Sequence, residues 1–303
     1  MIDILTRAGC FVGIIALGYL LKKVGLFKQE DFGVLSRLLM KVTFPCAIVS
    51  SFVGRDIDPS MLVLAALAIV CGVAYMLVAW LTHMKKGKDE IAFHILNLPG
   101  YNIGNFTMPF VQSFLGPMGI IATSIFDVGN AVICLGGAFG IASTVKSGTK
   151  FSVKRIVSAL GKSVPFMTYL AMMVVNFLHI PVPNAAKEFV GIVGNANPFL
   201  AMFVIGVGFQ VGGNREQIGK ILKILGLRYG VAVVVVGLIF WFVLPFPLEV
   251  RQALLILAFS PIGSAVVPFT AELGGDVGLS SATNSLAILI SIVINVVLLS
   301  VIL

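Results

Sequence analysis

The stretch LNLPGYNIGNFTMPFVQSFLGPMG, residues 96–119, places three prolines, four glycines and three asparagines in a chain that is 58% hydrophobic. Only 11% of the 303 residues are charged and the mean hydropathy is +1.06. Water-soluble domains carry about 25% charged residues, so a soluble domain is excluded and the chain reads as an all-α membrane protein. Apolar runs of about 17–25 residues are long enough to span a bilayer. Ten occur, at 4–21, 32–53, 61–81, 91–115, 118–142, 160–179, 187–210, 221–244, 250–271 and 279–302. The quoted stretch falls in the fourth, where helix-breaking residues are least expected.

Basic residues set the orientation of such a chain. Lys22, Lys23, Lys28, Lys85, Lys86, Lys88, Lys146, Lys150, Lys154, Arg155, Lys162, Arg215, Lys220 and Lys223 fall in alternate connections. Arg7, Arg55, Lys187 and Arg251 fall on the other side. Fourteen against four places the first set in the cytoplasm by the positive-inside rule, with both termini outside. The net charge of +8 therefore reports topology, and no nucleic-acid partner is expected. The first run lacks a Lys-rich start and an A-x-A-like site, so it is expected to stay as a spanning helix. Cys10, Cys46, Cys71 and Cys134 all lie in apolar runs, as small hydrophobes rather than a disulfide or metal framework.

The basic connection STVKSGTKFSVKRIVSALGKS, residues 143–163, divides the runs five plus five. An odd number of spans per half makes the second half enter from the opposite side, the origin of inverted repeats in secondary transporters. The whole chain, 1–303, is thus expected to be one transmembrane domain with repeats at about 1–145 and 155–303. MPFVQSFLGPMGI (108–120) aligns without gaps on VPFTAELGGDVGL (267–279), pairing Pro109 with Pro268, Phe110 with Phe269, Gly116 with Gly275 and Gly119 with Gly278. Both segments belong to the fourth span of their half, and both spans are interrupted, by Pro99, Gly100, Gly104 and Pro109 and by Pro261, Gly263 and Pro268. A proline inside a helix frees a carbonyl one turn back. In hydrocarbon that group costs several kcal/mol unless it is re-bonded or lines a polar cavity. Paired breaks therefore point to a midplane solute or ion site; the bland reading is two proline kinks satisfied by neighbouring helices. Pro45 and Pro198, in the second span of each half, add a lesser pair of kinks.

Asn102 and Asn105 share a helical face beside the first break, where their amides could hold a carboxylate or an ion or serve as interhelical glue. Asp127, one turn from Asn130, lies in mid-span, where a carboxyl is a functional hypothesis by default; a structural ion pair is its alternative. The candidate partner is Lys41, about 15 Å into the second run at 1.5 Å per residue and so halfway through a core of about 30 Å. Snorkelling to the surface is the alternative for Lys41, and the reading for Arg37. His83, His94 and His179 lie near span ends without metal-ligand spacing, and Trp80 and Trp241 stand where belt residues stand.

PGYNIGNFTMPFVQSFLG (99–116), FDVGN (126–130) and AELGGDVGLSSATNSLAILISIV (271–293) resemble the auxin efflux carrier family of membrane transporters in its short bacterial form, often associated with malonate or malate. The resemblance implies a five-plus-five inverted repeat in which broken helices four and nine cross, and elevator-type movement. It implies binding of an organic carboxylate at Asn102, and crossover prolines at Pro109 and Pro268. The sequence departs from the family at Thr107, where Gly is common, and lacks the long central loop of the plant members. Asn105 and Lys41 join the expected substrate site, and Asp127 and Asn130 an ion-coupling site for a proton or sodium. No metal or other cofactor is expected. The partners are the organic anion and the lipid bilayer, here a bacterial inner membrane, and a homodimer is compatible with the sequence.

No G-x-x-x-x-G-K-[ST] motif occurs, so ATP is not the expected energy source. The rival within transport is a sodium-coupled symporter of the bile-acid type. From other classes, an intramembrane aspartyl protease would need Gly where Leu273 stands before Gly274, Gly275 and Asp276, and a non-transporting sensor would need a signalling domain. The charge asymmetry yields a direct test. A reporter fused after Leu303 should lie outside the cytoplasm and one inserted near Ser147 inside; the same side for both would defeat the ten-span topology.

Overall fold

In a computed structural model the described residues are 2–55, 57–209, 215–237 and 245–302. They are helical throughout, with no strand among them. Helix α1 spans Ile2–Lys23; α2 (Asp31–Leu38) runs through a π-helical turn at Leu39–Thr43 into α3 (Phe44–Phe52), and α4 is Val63–His83. Helix α5 (Lys88–Asn97) stops at the first break, and the chain resumes through a π turn at Ile103–Thr107 into α6 (Met108–Phe114). Helix α7 (Pro117–Val132) passes through a third π turn, Ile133–Gly137, into α8 (Ala138–Ser147). Then follow α9 (Val153–Lys162), α10 (Val164–Phe177), α11 (Asn184–Asn195), α12 (Asn197–Gly208) and α13 (Arg215–Val231), whose end continues as a π turn at Ala232–Gly237. Helices α14 (Leu248–Ala258) and α15 (Val266–Glu272) flank the second break, and α16 is Val277–Ile302.

Six of the expected runs are helices long and apolar enough to cross a membrane, and a seventh arises if α9 and α10, bent by 80° at Ser163, count as one. The others fall short for identifiable reasons. The runs at 91–115 and 250–271 are the broken ones, and the run at 221–244 leaves the described residues after Gly237, taking Trp241 with it. Apolar stripes face outward at helical spacing, such as Val70, Val73 and Leu77 on α4 and Val293, Val297 and Val301 on α16, which is the surface a lipid environment requires. Trp80 and Cys10 are also on that exposed surface, so Cys10 is not the buried hydrophobe expected of it.

The helices pack in two groups. In one, α1 and α2 lie on α12, and α3 on α10 and α11; in the other, α4, α5, α7, α8 and α13–α16 pack on one another. The groups meet where α3 and α10 lie on α7 and α1 on α16, and α6 lies on both α12 and α7. Within each group backbones meet closely at glycine. A Cβ on Gly206 of α12 would stand 3.0 Å from the Tyr19 nitrogen of α1, and one on Gly129 of α7 2.8 Å from the Ala65 carbonyl carbon of α4. Small residues at such crossings permit the contact area that drives helix association in lipid. Gly206→Val should therefore force α1 and α12 apart, at a cost of about 1–3 kcal/mol for an overpacked interface, read as a lowered thermal midpoint in detergent; an unchanged midpoint would remove the close-contact account.

Candidate functional site

The two breaks meet. The Asn102 N–H donates to the Pro261 carbonyl at 2.9 Å, the Asn105 amide donates to the Ser264 hydroxyl at 3.3 Å, and the hydroxyls of Thr107 and Ser260 share a hydrogen bond. Thr107, the departure from the family pattern, is thus a fastener between the breaks. Just before them Asn97, the last residue of α5, donates to the Thr270 hydroxyl at 3.1 Å and accepts from Ser280 at 2.6 Å, tying α5 to α15 and α16. The matched positions of the sequence echo take like places. Pro109 and Pro268 lie in the first turns of α6 and α15, Gly116 directly precedes α7, and Gly275 stands two residues before the start of α16.

Under the meeting point lies Arg228 of α13, 1% exposed. Its guanidinium donates to the carbonyl of Leu98, and to those of Gly100 at 2.8 Å, Ser260 at 2.9 Å and Pro261 at 3.3 Å. Two of these carbonyls come from each break. The rings of Tyr75 and Tyr101 each stand 5.4 Å from the guanidinium carbon, within cation–π range. Carbonyls released by the broken helices are thereby satisfied inside the protein, as the bilayer demands. Arg228 belongs to no connection and so has no place in the charge pattern that sets topology. Its signal was an arginine at the eighth position of the apolar run 221–244.

A cavity of about 110 Å³ opens on the other side of the crossing. Asn102, Asn105, Asp127, Asn130, Tyr169 and Ser264 supply its polar lining. Asn130 pins the first break by pairing with Tyr101 as a strand would, accepting its N–H and donating to its carbonyl, both at 2.9 Å. It also donates to one Asp127 oxygen at 2.9 Å, and the Tyr169 hydroxyl donates to the other at 2.9 Å. The Asn102 side chain, 6% exposed, has no hydrogen-bond partner among the described residues, and the Asn105 side-chain oxygen is buried without one. Two amides lining a cavity with unspent hydrogen-bonding capacity are available to a ligand.

Lys41 is placed differently from expectation. It is exposed on the π turn 39–43 and does not line the cavity, where its neighbour Met40 does. The ion pairs among the described residues are Lys146–Asp89 and Arg155–Glu272, each at 2.8 Å, so Asp127 is not paired with Lys41. Pro109 is buried and Pro268 exposed, and neither lines the cavity; their place is in the half-helices that leave the crossing.

A larger cavity, about 490 Å³, lies beyond Asn97, where Lys146, Lys220, Lys223 and Asp276 meet the α4–α5 connection. His83 and His94 stack there with ring centres 3.6 Å apart. Its polar lining is charged of both signs and it contains neither break, so the smaller cavity is the candidate site despite its volume. No group of three or more His, Cys, Asp or Glu side chains suited to a metal occurs among the described residues.

Residues 11–164, which include the first break, the cavity-lining face of α7 and the basic connection, match the family described as membrane transport protein. The chain belongs to this family. An uncharacterized transporter from Methanothermobacter thermautotrophicus is 22% identical over 219 residues, 71% of each chain. The protein is an integral membrane transporter, and the crossing is the part of it that its hydrogen bonds most tightly determine. Arg228→Met should leave the buried carbonyls of Leu98, Gly100 and Ser260 without this donor, each costing about 1–3 kcal/mol, while Pro261 keeps the Asn102 N–H, and should yield no monodisperse protein in detergent. Arg228→Lys keeps the charge but not the fork, and should fold with a lowered midpoint. A stable Arg228→Met transporter would show that the breaks are held by other means.

Proposed function

We propose that this transporter is a secondary carrier of a small organic anion, a mono- or dicarboxylate of the malonate or malate kind, with the substrate carboxylate held at the crossing by Asn102 and Asn105. The observation that carries the reading is the unpartnered amide of Asn102 in a cavity built at two broken helices. Amide N–H donors at such a point suit a carboxylate, and broken helices near the midplane are where secondary transporters bind their substrates. The Arg228 charge, one carbonyl removed from Asn102 through Pro261, adds positive potential beneath the site without contacting the ligand.

The proposed architecture is ten spans in five-plus-five inverted repeat, both termini outside a bacterial inner membrane. The cycle is alternating access of the elevator type. The helix grouping supports it: backbones interlock within each group, while the polar links identified between groups among the described residues are Tyr169 to Asp127, Asn197 to Gln112 at 2.9 Å and Arg7 to the Ser113 carbonyl at 2.7 Å. The group carrying both breaks would move as one against α1–α3 and α10–α12.

The test is binding and uptake in proteoliposomes with a panel of carboxylates. Asn102→Ala should fold normally and lose about 1.5–3 kcal/mol of carboxylate binding, a loss of roughly 10- to 150-fold in affinity. Unchanged affinity in the variant, or no carboxylate bound by the parent protein, would defeat the reading.

A further inference from the structure

We infer that Asp127 is a proton site and that the proton travels with the anion. This rests on the organic-anion reading and names its coupling ion. Asp127 lines the same 110 Å³ cavity as Asn102 and Asn105, so a bound carboxylate and an ionised Asp127 would share one small, partly enclosed volume. Like charges so placed disfavour each other's ionised form. No cation is among the described residues of the cavity lining: Lys41 is exposed away from it, and Arg228 lends potential from behind the break without entering the cavity to pair with either carboxylate.

The groups facing Asp127 are neutral hydrogen-bonding ones. From its own helix comes Asn130, and from the π turn that follows it Cys134; from α10 comes Tyr169; from the break comes Tyr101. Glu249 of α14 lies at the opposite end of α7, against Gly116. A hard metal ion needs a cage of oxygens with lone pairs turned inward. Here both Asp127 oxygens accept hydrogen bonds, and the Asn130 side-chain oxygen already accepts from the Tyr101 N–H and the Cys134 thiol. A proton needs only one carboxylate oxygen. On protonation Asp127 becomes neutral, the repulsion of the substrate ends, and the hydrogen bond from Tyr169 loses its charge-assisted strength. That bond joins the two helix groups, so proton and anion together loosen the link that the empty, ionised site holds.

Malonate binding to the purified full chain, measured from acid to alkaline pH, tests this. With one proton bound alongside the anion, the dissociation constant should rise about tenfold per pH unit once Asp127 is ionised. Asp127→Asn should bind malonate with no such slope and take it up independently of a pH gradient, and a sodium gradient should drive neither protein. In the protein without ligand, infrared spectra should contain a protonated-carboxyl band that titrates, is missing from Asp127→Asn and moves in frequency in Tyr169→Phe, which keeps the carboxyl but removes its donor. A pH-independent malonate affinity in the parent, an equal slope in Asp127→Asn, or sodium-driven uptake would overturn the inference. Absence of malonate binding at every pH would sink the organic-anion reading alone. The infrared band then decides the proton site: its loss or shift in the two variants supports it, and identical spectra in all three proteins overturn it. Should Asp127→Asn fail to fold, the Tyr169→Phe shift carries the same decision.

Discussion

A chain that breaks two helices inside hydrocarbon must supply hydrogen bonds for the carbonyls it frees, and Arg228 supplies them. Each such group left bare costs several kcal/mol, and a lone guanidinium in the same place would also be expensive. Each deficit answers the other. The planar fork reaches Leu98, Gly100, Ser260 and Pro261 at once, which a single ammonium with its tetrahedral donors would not match. Tyr75 and Tyr101 present ring faces to the charge. The position of the Asn102 amide follows, because its own N–H is bonded to the same Pro261 carbonyl.

The second constraint comes from the opposite face of the crossing. Asn130 fixes Tyr101 through two backbone-like hydrogen bonds, so the first break is held by Arg228 behind it and by α7 beside it. The side chains of Asn102 and Asn105 keep hydrogen-bonding capacity in hand, as does the Tyr101 hydroxyl. Rigidity of the backbone and availability of the side chains therefore arise together, which is the arrangement a ligand site requires if binding is not to be spent on ordering the site.

The breaks themselves, and the residues beside them, were legible because proline and glycine inside an apolar run have one physical meaning in a membrane. Asn102, Asp127 and Asn130 were legible for a related reason: polar groups are costly there and seldom incidental. Lys41 was misplaced because residue counting along a helix gives depth and not direction. The π turn at Leu39–Thr43 admits an extra residue per turn, and the side chain that counting put level with Asp127 points away from it. Arg228 is not legible in the charge pattern, which resides in the connections, because it belongs to none. Thr107 stood out only as a departure from the family pattern, and Ser260 and the Asn97–Thr270–Ser280 cluster had no readable signal. Small hydroxyl residues are frequent in membrane helices, and only the fold brings these together across more than 150 positions of sequence.

The difference between contacts inside the two helix groups and contacts between them has an energetic consequence for the proposed cycle. Where Gly206 and Gly129 let backbones touch, sliding would force carbonyl oxygens against Cα atoms, so each group keeps its shape. Among the described residues the polar links identified between the groups are hydrogen bonds of about 0.5–1.5 kcal/mol for the neutral Asn197–Gln112 pair and about 1.5–3 kcal/mol where Arg7 or an ionised Asp127 takes part, each replaceable by water as a cavity opens. Of these only the Tyr169–Asp127 bond ends on a titratable group inside the cavity. Its strength depends on the charge of Asp127, whereas the Asn197–Gln112 bond is indifferent to proton or substrate. In the proposed cycle, the barrier to movement is therefore set chiefly where the anion binds, so that a site occupied by a proton and an anion together moves more readily than one that is empty and ionised.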